Sequence, residues 1–357
     1  ELAKKGTGAV NPNPLVGAVI VKDDRIIGQG YHARYGDLHA ERTAFASLTE
    51  DAAGAEMYVT LEPCCHYGKQ PPCTLAIVEH GIKKVYVGSD DPNDKVAGKG
   101  IAFLREHGVE VETGVMKAAC DAINPVFFHY ITTKLPYVVM KYAMSMDGKI
   151  AAFTGASKWV TGETARSHVQ RQRHRFRGIM VGVGTVLADD PLLTCRMENG
   201  RNPVRVICDT HLRTPPQAQV VITAEQIPTI LATCCADPER QAVYQRAGCQ
   251  VLCLNEENGH VDLRQLMERL GREQIDSILL EGGGTLNWAA LECGIVQQVQ
   301  AYIAPKLFGG RDAKTPVEGV GVPAPDDAFR LKNSRLERLG EDLLIESEVE
   351  YPCSQES

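Results

Sequence analysis

His39 and Glu41, spaced as His-Ala-Glu, are followed by Pro63-Cys64 and then by Cys73. One imidazole and two thiols are ligands of the kind that hold zinc. Three protein ligands leave the fourth tetrahedral position for water, which marks a catalytic rather than a structural centre. Zinc brings the pKa of such a water to about 7 and so supplies a nucleophile at neutral pH. Glu41 stands two residues from His39, near enough to carry protons without ligating. Cys65 to Pro72 separate the two thiols, and within that excursion Cys65 and His66 stand as alternative third ligands. Pro71-Pro72-Cys73 leads into the apolar residues 75–78, which predicts a helix, because proline suits a first helical turn. Cys73 then lies at the positive end of that helix, where thiolate is favoured.

The order His-x-Glu, Pro-Cys, Cys is similar to that of the zinc deaminases of nucleobases, although these typically read P-C-x-x-C. The longer spacing here sits in T-L-E-P-C-C-H-Y-G-K-Q-P-P-C. Together with H-A-E and N-P-L-V-G-A-V at residues 13–19, it resembles the deaminase half of the bifunctional deaminase/reductase family of riboflavin biosynthesis. The resemblance implies a cytidine-deaminase-like α/β/α layered domain that hydrolyses the 2-amino group of a diamino-ribosylamino-pyrimidinone 5′-phosphate. It implies His39, Cys64 and Cys73 as zinc ligands and Glu41 as the catalytic proton carrier. It further implies substrate contacts from Asn13, His32, His66 and Lys69. Taken by themselves, His32 is equally a loop residue and Lys69 an exposed loop lysine near the metal.

At 357 residues the chain is long enough for two domains. Hydrophobic residues make up 44%, enough for globular folding, and no run of 18 apolar residues suggests a membrane span. The net charge of −7 and a pI of about 5.9 argue against a nucleic-acid channel, which needs clustered Lys and Arg. The first residues read as the tail of a helix, not as a signal peptide. The twelve cysteines are scattered, so a reducing, cytoplasmic setting is expected and those outside the zinc set read mostly as small core residues. Cys234-Cys235 has no further ligand at metal spacing nearby.

Alternating apolar runs predict strands at residues 15–21, 25–30, 57–61, 85–88 and 109–113, with helices over 41–48, after Cys73, near 103–104 and over 124–133. Lys134-Leu135-Pro136 breaks the pattern, so the expected domains are 1–134, a zinc-dependent deaminase, and 135–357. In the second half, strands are expected from 137 and at 179–183, 204–208, 230–232, 251–254, 278–280 and 300–303. Helices are expected near 164–174, 238–247, 263–270 and 286–292, and a sheet-edge hairpin over 336–350. His39, Cys64 and Cys73 all fall where strands end or helices begin, the places where α/β sheets bind ligands.

Two glycine-rich stretches in the second half, Gly182-Val183-Gly184-Thr185 and Glu281-Gly282-Gly283-Gly284-Thr285, follow strands and open helices. Backbone N–H groups at such starts suit phosphate. Neither stretch is the G-x-G-x-x-G fingerprint with its acidic residue about 20 positions on, so a Rossmann domain is disfavoured. The Lys141–Ala151 segment could by itself be no more than a strand and a turn.

K-Y-A-M-S-M-D-G-K, S-K-W-V-T-G, V-G-V-G-T-V-L-A-D-D-P-L-L-T-C-R and L-L-E-G-G-G-T-L together resemble the reductase half of the same family. That half has a dihydrofolate-reductase-like α/β fold and uses NADPH to reduce the ribosyl group to ribityl. The resemblance implies that Ala143, Trp159, Thr161, Thr185, Asp189, Gly283, Gly284 and Thr285 hold NADPH. It implies that Lys141, Ser157, Arg173, Leu193, Arg196 and Glu281 meet the substrate, with Lys141 and Asp189 candidates for the accompanying proton transfer. Arginine suits a 5′-phosphate through its fork of donors. Arg173, flanked by Arg171, Arg175 and Arg177, has a solvated helix face as its plain alternative, and Arg196 is the stronger candidate. The expected partners are small pyrimidine ribosyl phosphates, with neither nucleic acid nor membrane, and a homo-oligomer is expected. The rival readings are a deaminase of cytidine-type nucleosides or nucleic acid with a non-catalytic second half, and a zinc-stabilised scaffold with a fourth protein ligand.

Overall fold

The computed structural model describes residues 1–68 and 70–351. The chain divides into two compact units, Glu1–Lys134 and Leu135–Ser357. Lys134 is a left-handed residue that ends a helix, and the next strand begins after Pro136.

In the first unit, β1 (Gly17–Lys22) and β2 (Arg25–Tyr31) form an antiparallel hairpin turned by Asp23-Asp24. Next come α1 (Ala40–Ala46), β3 (Glu56–Leu61), α2 (Cys73–Glu79), β4 (Lys84–Ser89), α3 (Lys99–Glu106), β5 (Glu110–Thr113), α4 (Lys117–Asp121) and α5 (Pro125–Thr133). The sheet order is β2-β1-β3-β4-β5, with β3, β4 and β5 parallel. Alternate residues of the strands, Ala18 and Ile20, Met57 and Val59, Val85 and Val87, line one buried core with Ala40, Ala44, Ile77 and Leu104. The hairpin lets α1 lie close: a Cβ on Gly28 would stand 2.7 Å from the Ala44 carbonyl oxygen. That approach fixes the helix whose N-terminal end carries His39 and Glu41.

The second unit begins with β6 (Tyr137–Ser145), α6 (Glu163–Arg175), β7 (Gly178–Gly182), α7 (Val183–Asp189), β8 (Val204–Cys208), α8 (Gln219–Ile222), β9 (Thr229–Thr233), α9 (Pro238–Arg246) and β10 (Gln250–Cys253). A two-stranded pair, β11 (Glu256–Glu257) and β12 (His260–Val261), precedes α10 (Leu263–Arg272), β13 (Ser277–Leu280), α11 (Gly284–Glu292), β14 (Val296–Ala304), β15 (Arg330–Leu339) and β16 (Asp342–Glu350). The nine-stranded sheet has the order β10-β9-β8-β7-β13-β6-β14-β16-β15. It is parallel from β10 to β14 and closes with an antiparallel hairpin at the edge. Parallel strands covered on both faces read as continuous apolar runs, and β13 is buried at all four residues. On α10, Leu263, Leu266, Met267 and Leu270 repeat at helical spacing and face the core, while Asp262 accepts from the Gln265 N–H as its cap. Losing such a cap costs roughly 1 kcal/mol.

The short elements α4, α8, β11 and β12 were not expected, because two to five residues carry too little periodicity to show. β6 and β14 run longer than their apolar centres, and β15 begins at Arg330, six residues before the expected start. Lys141–Ala151 does contain a turn, with Gly148 at φ +77°, and the Asp147 carboxylate accepts from the Phe308 and Gly309 N–H groups. Among the described residues no helix is long and apolar enough to cross a membrane.

Candidate active sites

In the first unit His39 caps α1, Cys64 lies in the loop after β3, and Cys73 is the first residue of α2. The sulfurs of Cys64 and Cys73 each lie 3.4 Å from His39 Nδ1, and all three donor atoms fall within 4.8 Å of one another. Tetrahedral zinc, with Zn–S about 2.3 Å and Zn–N about 2.0 Å, sets sulfur and nitrogen about 3.5 Å apart, so the donor set fits the ion. Neither Cys65 nor His66 joins this cluster; the Cys65 thiol faces the Lys95 carbonyl at 3.8 Å. No fourth Cys, His or carboxylate completes the set among the described residues, which removes the basis for the scaffold reading.

Charge in the cluster is shared. The hydrogen bond from Cys73, opposed by burial and aided by His39, holds the Cys64 thiol well below its usual range. The same bond pushes Cys73 up, and the Cys64 contact raises His39. Glu41 is 3% exposed, and burial pushes its carboxyl up to about 7. A carboxyl that changes charge near neutrality is suited to taking and returning a proton.

His39, Glu41 and Cys64 line a cavity of about 310 Å³ with Asn13, His32 and His66, while Cys73 is buried behind them. His32 Nδ1 lies 3.0 Å from the Leu38 carbonyl oxygen, and Nε2 lies 3.1 Å from Asn13 Nδ2. A carbonyl only accepts, so Nδ1 carries the proton and Nε2 accepts from the Asn13 amide. Burial lowers the His32 pKa, which keeps this neutral form. His66 Nδ1 is buried without a hydrogen-bond partner. Lys69 lies outside the described residues. Asp91 and Asn93 also line the cavity and were missed; their position after β4, at a strand end, was the available signal.

The second unit holds a cavity of about 570 Å³. Ala143, Trp159, Thr161, Thr185, Asp189, Gly283, Gly284 and Thr285 line it, as do Lys141, Ser157, Arg173, Arg196 and Glu281. The two glycine-rich turns meet there: a Cβ on Gly283, the cap of α11, would lie 3.9 Å from Thr185 Oγ1 on α7. Ser157 donates to Asp189 at 3.4 Å, and the Arg166 guanidinium stacks 4.7 Å from the Trp159 ring.

The plain alternative for Arg173 does not hold, and the expectation that Leu193 meets the substrate is corrected. Arg173 is not on a solvated face. Its guanidinium grips Glu281 through Nε at 2.8 Å and Nη2 at 3.0 Å, and donates to the Thr194 carbonyl. Leu193 does not line the cavity: it is buried with Ile179, Val181 and Leu212 in the core, at φ +53°. Lys141 lies 3.5 Å from Glu281. Burial would raise the Glu281 pKa, but Arg173 and Lys141 together pull it down to about 2. The Arg196 guanidinium is exposed and makes no hydrogen bond or ion pair among the described residues. Thr210, Arg213 and Glu318 line the same cavity without having been anticipated.

Known proteins resemble both units. Residues 1–89 match the family described as "Cytidine and deoxycytidylate deaminase zinc-binding region", and residues 136–345 match "RibD C-terminal domain". The riboflavin biosynthesis protein RibD of Actinobacillus pleuropneumoniae is 54% identical over 98% of this chain and 93% of its own length. That of Escherichia coli (strain K12) is 37% identical over 97% and 96%. The solved structure of Acinetobacter baumannii RibD superimposes with a TM-score of 0.88 at 36% identity, covering 98% of this chain and 96% of that one. A deaminase/reductase structure from Thermotoga maritima gives 0.83 at 38%, covering 98% and 95%. The first unit thus has a cytidine-deaminase-like fold and the second a dihydrofolate-reductase-like one. With a deaminase family model over residues 1–89, a RibD model over 136–345 and relatives matched over nearly their whole length, this chain belongs to the RibD family of riboflavin biosynthesis proteins.

Proposed function

We propose that the chain carries two enzymes in sequence, a zinc-dependent deaminase in residues 1–134 and an NADPH-dependent reductase in 135–357. The first replaces the 2-amino group of 2,5-diamino-6-ribosylamino-4(3H)-pyrimidinone 5′-phosphate by oxygen, consuming water and releasing ammonia. The second reduces the ribosyl group to give 5-amino-6-ribitylaminouracil 5′-phosphate. The observation that carries this reading is that one chain of RibD lineage holds both a three-ligand zinc set beside a buried carboxyl and a second, separate glycine-rimmed cavity.

Zinc, when bound by His39, Cys64 and Cys73, supplies water activated near neutral pH. Glu41 takes the proton of the attacking water and returns it to the departing ammonia. Asn13, held by His32, keeps its amide oxygen for an N–H of the pyrimidine edge. His66 offers its unpartnered Nδ1 to the substrate, and Lys69 serves the sugar phosphate.

NADPH, when bound, supplies the hydride for C1′ of the sugar. Ala143, Trp159, Thr161, Thr185, Asp189, Gly283, Gly284 and Thr285 hold it. The α11 start offers free backbone N–H groups to its phosphates. Ser157 and Arg196 meet the substrate. Glu281, fixed by Arg173, orients the Lys141 ammonium in the cavity. Free Arg196 receives the 5′-phosphate, since Arg173 is already committed to Glu281.

The same reading makes the protein a cytoplasmic homo-oligomer. The edge strand β15, exposed at nine of its ten residues, supports self-association. The test is to supply the diaminopyrimidinone phosphate with and without NADPH and weigh the products. Deaminated product alone without NADPH, and the ribityl product with it, is expected. Turnover of cytidine or single-stranded nucleic acid instead favours the rival deaminase.

A further inference from the structure

Glu62 stands between β3 and Pro63-Cys64, is 3% exposed, and forms no ion pair among the described residues. Its carboxylate is satisfied by backbone alone. Oε1 accepts from Gly100 N at 3.0 Å and Ile101 N at 3.2 Å; Oε2 accepts from Gly98 N at 3.0 Å and Asp91 N at 3.4 Å. Three of these donors belong to the start of α3, where the helix dipole favours negative charge. The fourth opens the segment whose Asp91, Asn93 and Val96 form a wall of the deaminase cavity.

That wall is braced within itself. Asn93 N donates to Asp91 Oδ1 at 2.8 Å, and Val96 N to the Asn93 carbonyl at 2.7 Å. Four of its ties to the segment between β3 and the ligand Cys64 converge on the Glu62 carboxylate, and the Glu62 N–H donates to the Ser89 carbonyl; the Cys65 thiol adds a longer contact to the Lys95 carbonyl at 3.8 Å. The metal side is held by other bonds: Cys73 N donates to Cys64 Sγ at 3.4 Å, and Thr74 N to the Cys64 carbonyl at 3.2 Å.

We propose that Glu62 is a positioning residue for deamination, a clamp that sets the distance between the metal ligands and the Asp91–Val96 wall and thereby governs substrate affinity rather than metal retention. The inference rests on the deaminase reading above. Glutamine in place of Glu62 turns an NH₂ toward two N–H donors, so two of the four bonds fail and the charge is lost. With those bonds gone the wall is free to shift away from the metal ligands, and a substrate that must touch both binds more weakly.

The test uses the full zinc-loaded chain, with zinc content per chain as the measure that the first unit is folded and reductase activity as the measure for the second. Glu62→Gln is expected to keep one zinc per chain and normal reduction. Its deaminase KM for the diaminopyrimidinone phosphate should rise at least about tenfold, with kcat changed less than about threefold, the signature of lost ground-state binding. An unchanged KM, or zinc lost in step with activity, overturns the proposal. Gly100→Ala approaches the clamp from the other side, since its Cβ would press on the Pro63 carbonyl and stand 3.2 Å from Glu62 Oε1. It should raise KM likewise, and it decides the matter if Glu62→Gln is insoluble. Failure of the unsubstituted chain to deaminate overturns the deaminase reading and this inference together; normal wild-type turnover with an unaltered KM in both variants overturns this inference alone.

Discussion

Arg173 and Glu281, 108 residues apart, form a two-point ion pair, Nε to Oε1 at 2.8 Å and Nη2 to Oε2 at 3.0 Å, with both side chains almost buried. The pair fixes an anionic carboxylate next to Lys141 inside the second cavity.

Glu281 makes stability depend on pH in one direction. Its folded pKa of about 2 lies below the ordinary value of 4.5, so the native state binds this proton less readily than the unfolded chain. The contribution, on the order of 3 kcal/mol, is complete above pH 4.5 and is lost as pH falls toward about 2. Glu281→Gln leaves Arg173 buried without its counter-charge, which costs about 3–5 kcal/mol at pH 7. Urea unfolding followed in the second unit should show the gap between wild type and variant narrowing as pH falls through that window. A gap independent of pH contradicts the assignment.

Cys73→Ser should lose both zinc and deamination, while Cys65→Ser keeps both, because only Cys73 shares the His39–Cys64 cluster. Metal content per chain and product formation are the measurements. The reverse pattern removes Cys73 from the ligand set.

Glu41→Gln should keep full zinc and lose deamination by at least about 10²-fold, the low end for a positioned acid–base group. Glutamine cannot accept the water proton. Near-normal turnover at full zinc occupancy would falsify the role. Reduction in the same chain should be untouched.

A fragment from Leu135 onward should reduce the deaminated intermediate with NADPH and contain no zinc. The compact unit begins there, and every residue lining the 570 Å³ cavity lies within it. A folded fragment unable to bind NADPH contradicts the assignment of the second half.

Arg196→Lys should raise the reductase KM for the phosphorylated substrate by about 10–150-fold, the loss of one charge-assisted hydrogen bond. Lysine keeps the charge but not the two-point fork. Deaminase kinetics should not change, and with a dephosphorylated substrate the substitution should hardly matter. Equal loss on both substrates moves Arg196 to another role.

The sequence by itself singled out the candidate zinc set and the carboxyl beside it, and the fold brings the three donor atoms together. Metal chemistry restricts the residue types, and His39, Glu41, Cys64 and Cys73 lie close enough in the chain for their order to be informative. It also determined the alternation of strands and helices, because buried parallel strands such as Ile278–Leu280 leave continuous apolar runs. Only the tertiary structure decided what depends on distant partners. Nothing around Arg173 announces burial, since its neighbours are polar and basic; its place became known only when β13 brought Glu281 beside α6. Leu193 could not be assigned to core or cavity from a loop sequence, because its direction depends on one left-handed backbone angle. Glu62 reads as one more acidic residue before Pro63-Cys64, and its meaning lies in four N–H groups 29 to 39 residues away. Backbone donors have no side-chain signature, so the carboxylate that collects them is visible only once the chain has folded around it.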